Sequence, residues 1–345
     1  MRIEYQTKEE SDQLESILQK GGNRTLVCFC VDISESMTLI LDGQDYKIDH
    51  SRDGVARNAD RQSMRAVYPK RGYTLENRIS KLNDILKEML RKMKANGQLR
   101  DSVVISLITF ANEADVKNSF MDAGIIDPEK YANMAVGNHA NQTNAGQALQ
   151  LALEQIEFTR VRFNEAEVDL RMPTIVFLSD GEPTDTSAYS ADTVTIGSIT
   201  TKNDANSMAA VIRQKVADGE LNMVPVLIGS GNAHAHSFMT SLTPVRTYRK
   251  MNTARDYEEV FDLIEQAIVS RNTMVIPDES ITREESVQIE SKVKEEVVDT
   301  NSTGTVVLSE DDLFSVFSSG FSGDAPADDP FAFPAPAAPE DNFLL

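Results

Sequence analysis

Four near-continuous apolar runs constrain this chain more than any other feature: Leu26-Val27-Cys28-Phe29-Cys30-Val31, Val103 to Phe110, Thr174 to Leu178, and Met223 to Ile228. A strand that is apolar at every position must be covered on both faces, which is the situation of a parallel strand between two helix layers. The segments between the runs supply those helices. Ile79, Leu82, Ile85, Leu86, Met89, Leu90 and Met93 follow i, i+3, i+4 spacing, and Ala148, Leu149, Ala152, Leu153 and Ile156 mark one side of a helix from about Ala145 to Phe158. Met208, Val211, Ile212 and Val216 do the same for 205–218. Shorter helices are expected near 234–241 and from Tyr257 to Val269. Strands alternating with helices predict an α/β fold, a doubly wound, mostly parallel sheet flanked by helices in the Rossmann-like manner. With 345 residues, 41% of them hydrophobic, the chain can bury a substantial core.

The pattern divides the chain into a lead-in over 1–23 with a short helix at 8–20, a domain over 24–271, and a tail over 272–345. Residues 41–74, with seven Lys/Arg against five Asp, read as an insertion into a strand-to-helix connection. The net charge of −20 is concentrated in the tail, which holds 16 acidic and 3 basic residues and leaves −7 for the rest. Residues 280–298 suggest a marginal helix. Beyond Asp299 the tail is rich in Ser, Asp, Ala and Pro and cannot bury enough surface to offset its ordering entropy, so it is expected to be largely disordered. Phe314, Phe317, Phe321, Phe331, Phe333 and Phe343 punctuate it. They are either incidental aromatics in a solubilising tail or short motifs that dock on a partner.

An acidic chain repels phosphate, which argues against nucleic-acid binding. Met1-Arg2-Ile3-Glu4-Tyr5 has no apolar signal core, and no run reaches the ~20 apolar residues of a membrane span, so a cytoplasmic protein is expected. Cys28 and Cys30, at i and i+2 of a strand, lie too far apart for an unstrained disulfide and read as buried, reduced thiols.

The chemistry sits just beyond the strands. Asp32-Ile33-Ser34-Glu35-Ser36 follows the first run, Asp180-Gly181 follows the third, and Asn141-Gln142-Thr143-Asn144 opens the middle helix. In an open α/β sheet, loops at the carboxyl ends of the strands converge on one edge. Carboxylates and hydroxyls gathered there suit a hard divalent cation. Each motif taken alone is better explained as a helix or turn cap.

Taken together, these residues resemble the metal-ion-dependent adhesion site of the von Willebrand factor A family. That site runs Asp-x-Ser-x-Ser, then Thr, then Asp-Gly, matched here by Asp32, Ser34 and Ser36, then Thr143, then Asp180 before Gly181. The resemblance covers roughly Arg24 to Ser270. Leu178 to Asp185 is also similar to bacterial cytoplasmic members associated with tellurite resistance, a stress-response setting. Two departures stand out: Asn141-Gln142 replaces the usual Gly-Gly, and Glu35 occupies a position that is often Gly. The resemblance implies that Ser34, Ser36 and Thr143 coordinate Mg²⁺ (or Mn²⁺ or Ca²⁺), with Asp32 and Asp180 bound directly or through water. It implies further that the open position accepts a carboxylate from a partner protein.

Those implications favour an intracellular, non-enzymatic interaction module. Two readings compete with it: a metal-dependent phosphoester hydrolase and a purely structural metal site. Other signals are weaker. Gly229-Ser230-Gly231 lacks the third glycine of a dinucleotide loop, His234 and His236 lack companion ligands, and Asp42, Asp45, Asp49 and Asp53 lack EF-hand spacing.

Overall fold

A computed structural model describes residues 8–42, 46–53, 65–69, 76–136, 140–246 and 248–273. The acidic tail and its phenylalanines, the expected helix at 280–298 included, lie outside the described residues. In chain order the elements are α1 (Lys8–Lys20), β1 (Arg24–Asp32), β2 (Tyr46–Asp53), β3 (Arg65–Pro69), α2 (Arg78–Ala95), α3 (Gly97–Ser102), β4 (Val103–Phe110), β5 (Ala114–Asp122) and α4 (Pro128–Tyr131). They continue as α5 (Ala145–Glu165), β6 (Leu170–Ser179), β7 (Thr193–Ile196), β8 (Ile199–Lys202), α6 (Ala205–Ala217), β9 (Asn222–Ile228), α7 (Ala233–Ser241), β10 (Arg249–Met251) and α8 (Ala254–Thr273).

The main sheet has six strands in the order β10-β9-β6-β1-β4-β5. Every pairing in it is parallel except β4 with β5. The expected mostly parallel α/β architecture is therefore the one observed. Within 41–74 the described residues form an antiparallel hairpin, β2 with β3.

β1 shows why its sequence is apolar throughout. Leu26, Cys28 and Cys30 enter one core with α1, α5, α6 and α7, while Val27, Phe29 and Val31 enter a second core with α2, α3 and α8. Cys28 and Cys30 are buried and unbridged, and burial pushes the Cys30 thiol well above its ordinary range. α2 places Ile79, Leu82, Ile85, Leu86, Met89, Leu90 and Met93 in the second core, as their spacing requires. At the amino end of β1, the buried guanidinium of Arg24 pairs with buried Asp122 at 3.1 Å and donates to the Gly21 carbonyl at 3.1 Å.

The connection after β1 leads to β4 on one side, and the chain later returns to place β6 on the other. The strand order thus reverses at the β1–β6 pair, and a crevice opens beyond their carboxyl ends. Asp32 ends β1, and Asp180 immediately follows β6. Among the described residues no helix is long and apolar enough to cross a membrane.

Candidate metal centre

The structure brings all five residues singled out by the sequence into this crevice. Asp32 is fully buried, with Oδ1 accepting from the Ser34 amide at 2.8 Å and Oδ2 from the Ser179 hydroxyl at 2.6 Å. The hydroxyls of Ser34 and Ser36 lie 3.0 Å apart, and Ser36 donates to Asp180 Oδ1 at 2.6 Å. Asp180, Ser34 and Thr143 are buried, while Ser36 is half-buried at the mouth. Thr143 is placed by the packing around Gly181: a Cβ added there would meet Thr143 Oγ1 at 3.2 Å and Asp32 Oδ2 at 3.8 Å. Gly181 keeps those two oxygens open to a common space.

Backbone bonds lock the loops together. The Thr143 amide donates to Thr184 Oγ1 at 3.0 Å, and the Thr184 amide donates to the Thr143 carbonyl at 3.0 Å. The Asn144 amide reaches the Ala111 carbonyl just past β4 at 2.9 Å. Asn144 itself makes no side-chain cap for α5. Asp185 supplies it instead, accepting from the amides of Ala145 at 3.1 Å and Gly146 at 2.8 Å. A remote carboxylate capping a helix both satisfies free amides and answers the positive end of the dipole.

Both departures from the adhesion-site pattern are accommodated. Among the described residues, the non-glycine positions with positive φ are Glu167 and Arg246, so the backbone at Asn141 and Gln142 needs no glycine. Asn112 holds that path by accepting from the Gln142 amide at 3.0 Å and from the Asn144 side chain. Glu35 is half-buried at the start of a short 3-10 turn, its amide donating to the Ala140 carbonyl at 2.6 Å.

Two buried carboxylates facing one another carry an electrostatic penalty. Asp32 is pushed up to about 7, chiefly by burial and next by the charge of Asp180, with the bonds from Ser179 and Ser34 pulling the other way. Asp180 has a countercharge that the sequence did not disclose. Arg78, itself buried, donates to Asp180 Oδ2 at 2.5 Å. It is the first residue of α2, whose first turn contains no acid. A cation at the positive end of a helix dipole is unfavourable unless an anion lies close, and that was the available signal.

The donor set fits a hard divalent ion. Adjacent ligands of an octahedral ion bound at ~2.1 Å lie ~3 Å apart, close to the Ser34–Ser36 and Ser36–Asp180 separations. Among the described residues, no group of three or more His, Cys, Asp or Glu is poised to hold a metal, so the hydroxyls are essential to this set. The remaining histidine candidates do not converge. His236 Nδ1 lies 2.5 Å from the Tyr248 hydroxyl, and His234 approaches Glu182 at 3.8 Å.

No protein-family profile matches the chain, and no curated protein sequence matches it. Solved structures do align with it. Proximal thread matrix protein 1 from the mussel byssus, in a form described as having a zinc-occupied MIDAS motif, is 14% identical over 72% of this chain and 46% of its own, with a TM-score of 0.43. The pilus adhesin SpaC from Lactobacillus rhamnosus GG is also 14% identical, over 72% of this chain and 31% of its own, with a TM-score of 0.45. VWA2, an ArnB paralog from Sulfolobus acidocaldarius, is 14% identical over 70% of this chain and 45% of its own, at 0.35. The chain therefore spans less than half the length of each of these. At such identities the likeness fixes neither family nor function, and the site's own geometry must carry the reading.

Proposed function

We propose that the chain is a von Willebrand factor A-type interaction module whose crevice holds a divalent cation and presents it to a carboxylate of a protein partner. The supporting observation is the convergence of Asp32, Ser34, Ser36, Thr143 and Asp180 at the reversal point of the sheet. Ser34, Ser36 and Thr143 would hold the ion through their hydroxyls. Asp32 and Asp180 would hold it directly or through water. Mg²⁺ is the ion we assign, with Mn²⁺ and Ca²⁺ as substitutes of the same hard-oxygen preference. When bound, the ion supplies a Lewis-acidic centre.

Neutral hydroxyl ligands leave such an ion electron-poor, and an incoming carboxylate relieves that deficit. Ser36 lies at the mouth, where a partner could approach. We place the module in the cytoplasm, in a stress-response setting of the tellurite-resistance kind, and treat it as a binding protein and not an enzyme.

A pull-down from the parent cytosol, with wild type and Asp32→Ala each in Mg²⁺ or EDTA, tests the reading. Partners should be recovered by wild type in Mg²⁺ and lost in the other three conditions. Equal recovery in all four sinks it.

A further inference from the structure

Among the described residues, Arg78 is the cation in direct contact with the candidate ligands, and its position is tightly built. The guanidinium packs on Gly229, where an added Cβ would fall 2.1 Å from Nη2 and 2.5 Å from Cζ. Gly229 has φ of +80°, a conformation glycine adopts freely, and its amide donates to the Met251 carbonyl at 2.7 Å. Arg78 thus reaches Asp180 across Gly229, which follows β9 and is tied to the end of β10. Asp180 Oδ1 faces Ser36, and Oδ2 is taken by Arg78.

We propose that Arg78 is a positioning residue that sets the net charge of the metal centre, making the loaded site demand an external anion. This rests on the functional reading given above. Asp32 and Asp180 together carry −2, and Arg78 reduces that to −1. A bound divalent cation then leaves the buried site at +1, which one partner carboxylate neutralises. Without Arg78 the loaded site is already neutral. Buried uncompensated charge is strongly disfavoured, so one guanidinium weakens the hold on the metal and strengthens the call for a carboxylate. The two effects have opposite signs, a pattern that loss of structural support alone would not produce.

Mn²⁺ and acetate are the probes. Free Mn²⁺ is followed by its electron paramagnetic resonance signal, and acetate binding to the Mn²⁺-loaded protein by water-proton relaxation. Relative to wild type, Arg78→Gln should bind Mn²⁺ about tenfold tighter or more, and acetate about tenfold weaker. Arg78→Lys, which keeps the charge, should stay close to wild type in both. If Arg78→Gln does not fold, Arg78→Met is used, since an unbranched side chain can follow the same buried path. The same opposed shifts are expected. Unchanged or weaker Mn²⁺ binding by the neutral variants overturns the role of Arg78, provided wild type binds both probes. Wild type that binds no Mn²⁺ overturns the functional reading along with it.

Discussion

Replacing Asp180 with alanine should lower the stability of the fold by about 3–5 kcal/mol and abolish its response to divalent cations. The loss comes mainly from Arg78. Its guanidinium is buried and bonded to Asp180 Oδ2, so removing the carboxylate strands a cation away from water. Relief of the repulsion between Asp180 and Asp32 works in the opposite direction. That relief is the smaller effect, because burial and not Asp180 is the principal cause raising Asp32. Urea unfolding in EDTA measures the difference. Adding Arg78→Met to Asp180→Ala should recover most of the loss, because a neutral side chain in the same buried place leaves no charge unpaired. Recovery would locate the deficit in the orphaned cation and exclude a collapse of the loop.

Asp32→Asn should have the contrary effect on stability while removing metal binding just as completely. In the folded state burial and the charge of Asp180 let Asp32 hold its proton up to about 7, against about 3.9 for an ordinary aspartate. Between those values the folded protein binds a proton that the unfolded chain has released, so stability falls as pH rises from about 4 to about 7 and levels off above. Integrated over that window, the ionised carboxylate costs about 4 kcal/mol. Asparagine presents the same shape, and its carbonyl oxygen can still accept from the Ser34 amide. In EDTA the variant should therefore match wild type near pH 4 and exceed it at neutral pH, with Asp32's share of the pH dependence gone. A variant less stable than wild type at neutral pH would show that Asp32 is held there as a satisfied anion. The opposite signs expected at Asp32 and Asp180 distinguish a site strained for a cation from two ordinary caps.

The central strands were legible in the sequence because burial on both faces favours apolar side chains, and these fill most of the buried positions of β1, β4, β6 and β9. β5 was not. It lies at the sheet edge, and along Ala114–Lys117 its positions alternate between half-buried and exposed, so its composition gives no apolar run. β10 has three residues, too few to show a period. α5 runs to Glu165, beyond the expected Phe158, because Thr159 and Phe163 continue its buried face past polar residues.

The five candidate residues could be gathered from the sequence because each follows a strand or opens a helix, and the fold brings those ends together. Arg78 and Asp185 could not. Arg78 meets a residue 102 positions away, and Asp185 caps a helix that begins 40 positions earlier in the chain. Local pattern can signal that Arg78, in an acid-free first turn, needs an anion, but it does not name a partner that distant. The adhesion-site ligand set contains neither residue, and although Asp185 closes the Leu178–Asp185 stretch, its role as a cap and the pairing of Arg78 with Asp180 came from the geometry.

The central claim is that these five side chains hold a divalent cation, and calorimetric titration of Mg²⁺ at about pH 8, where Asp32 is ionised, tests it most directly. Wild type should show one saturable site, Ser36→Ala and Thr143→Ala should weaken it at least about tenfold, and Asp32→Asn should abolish it. Absence of saturable binding by wild type, or binding that survives Asp32→Asn and Thr143→Ala unchanged, would contradict the account.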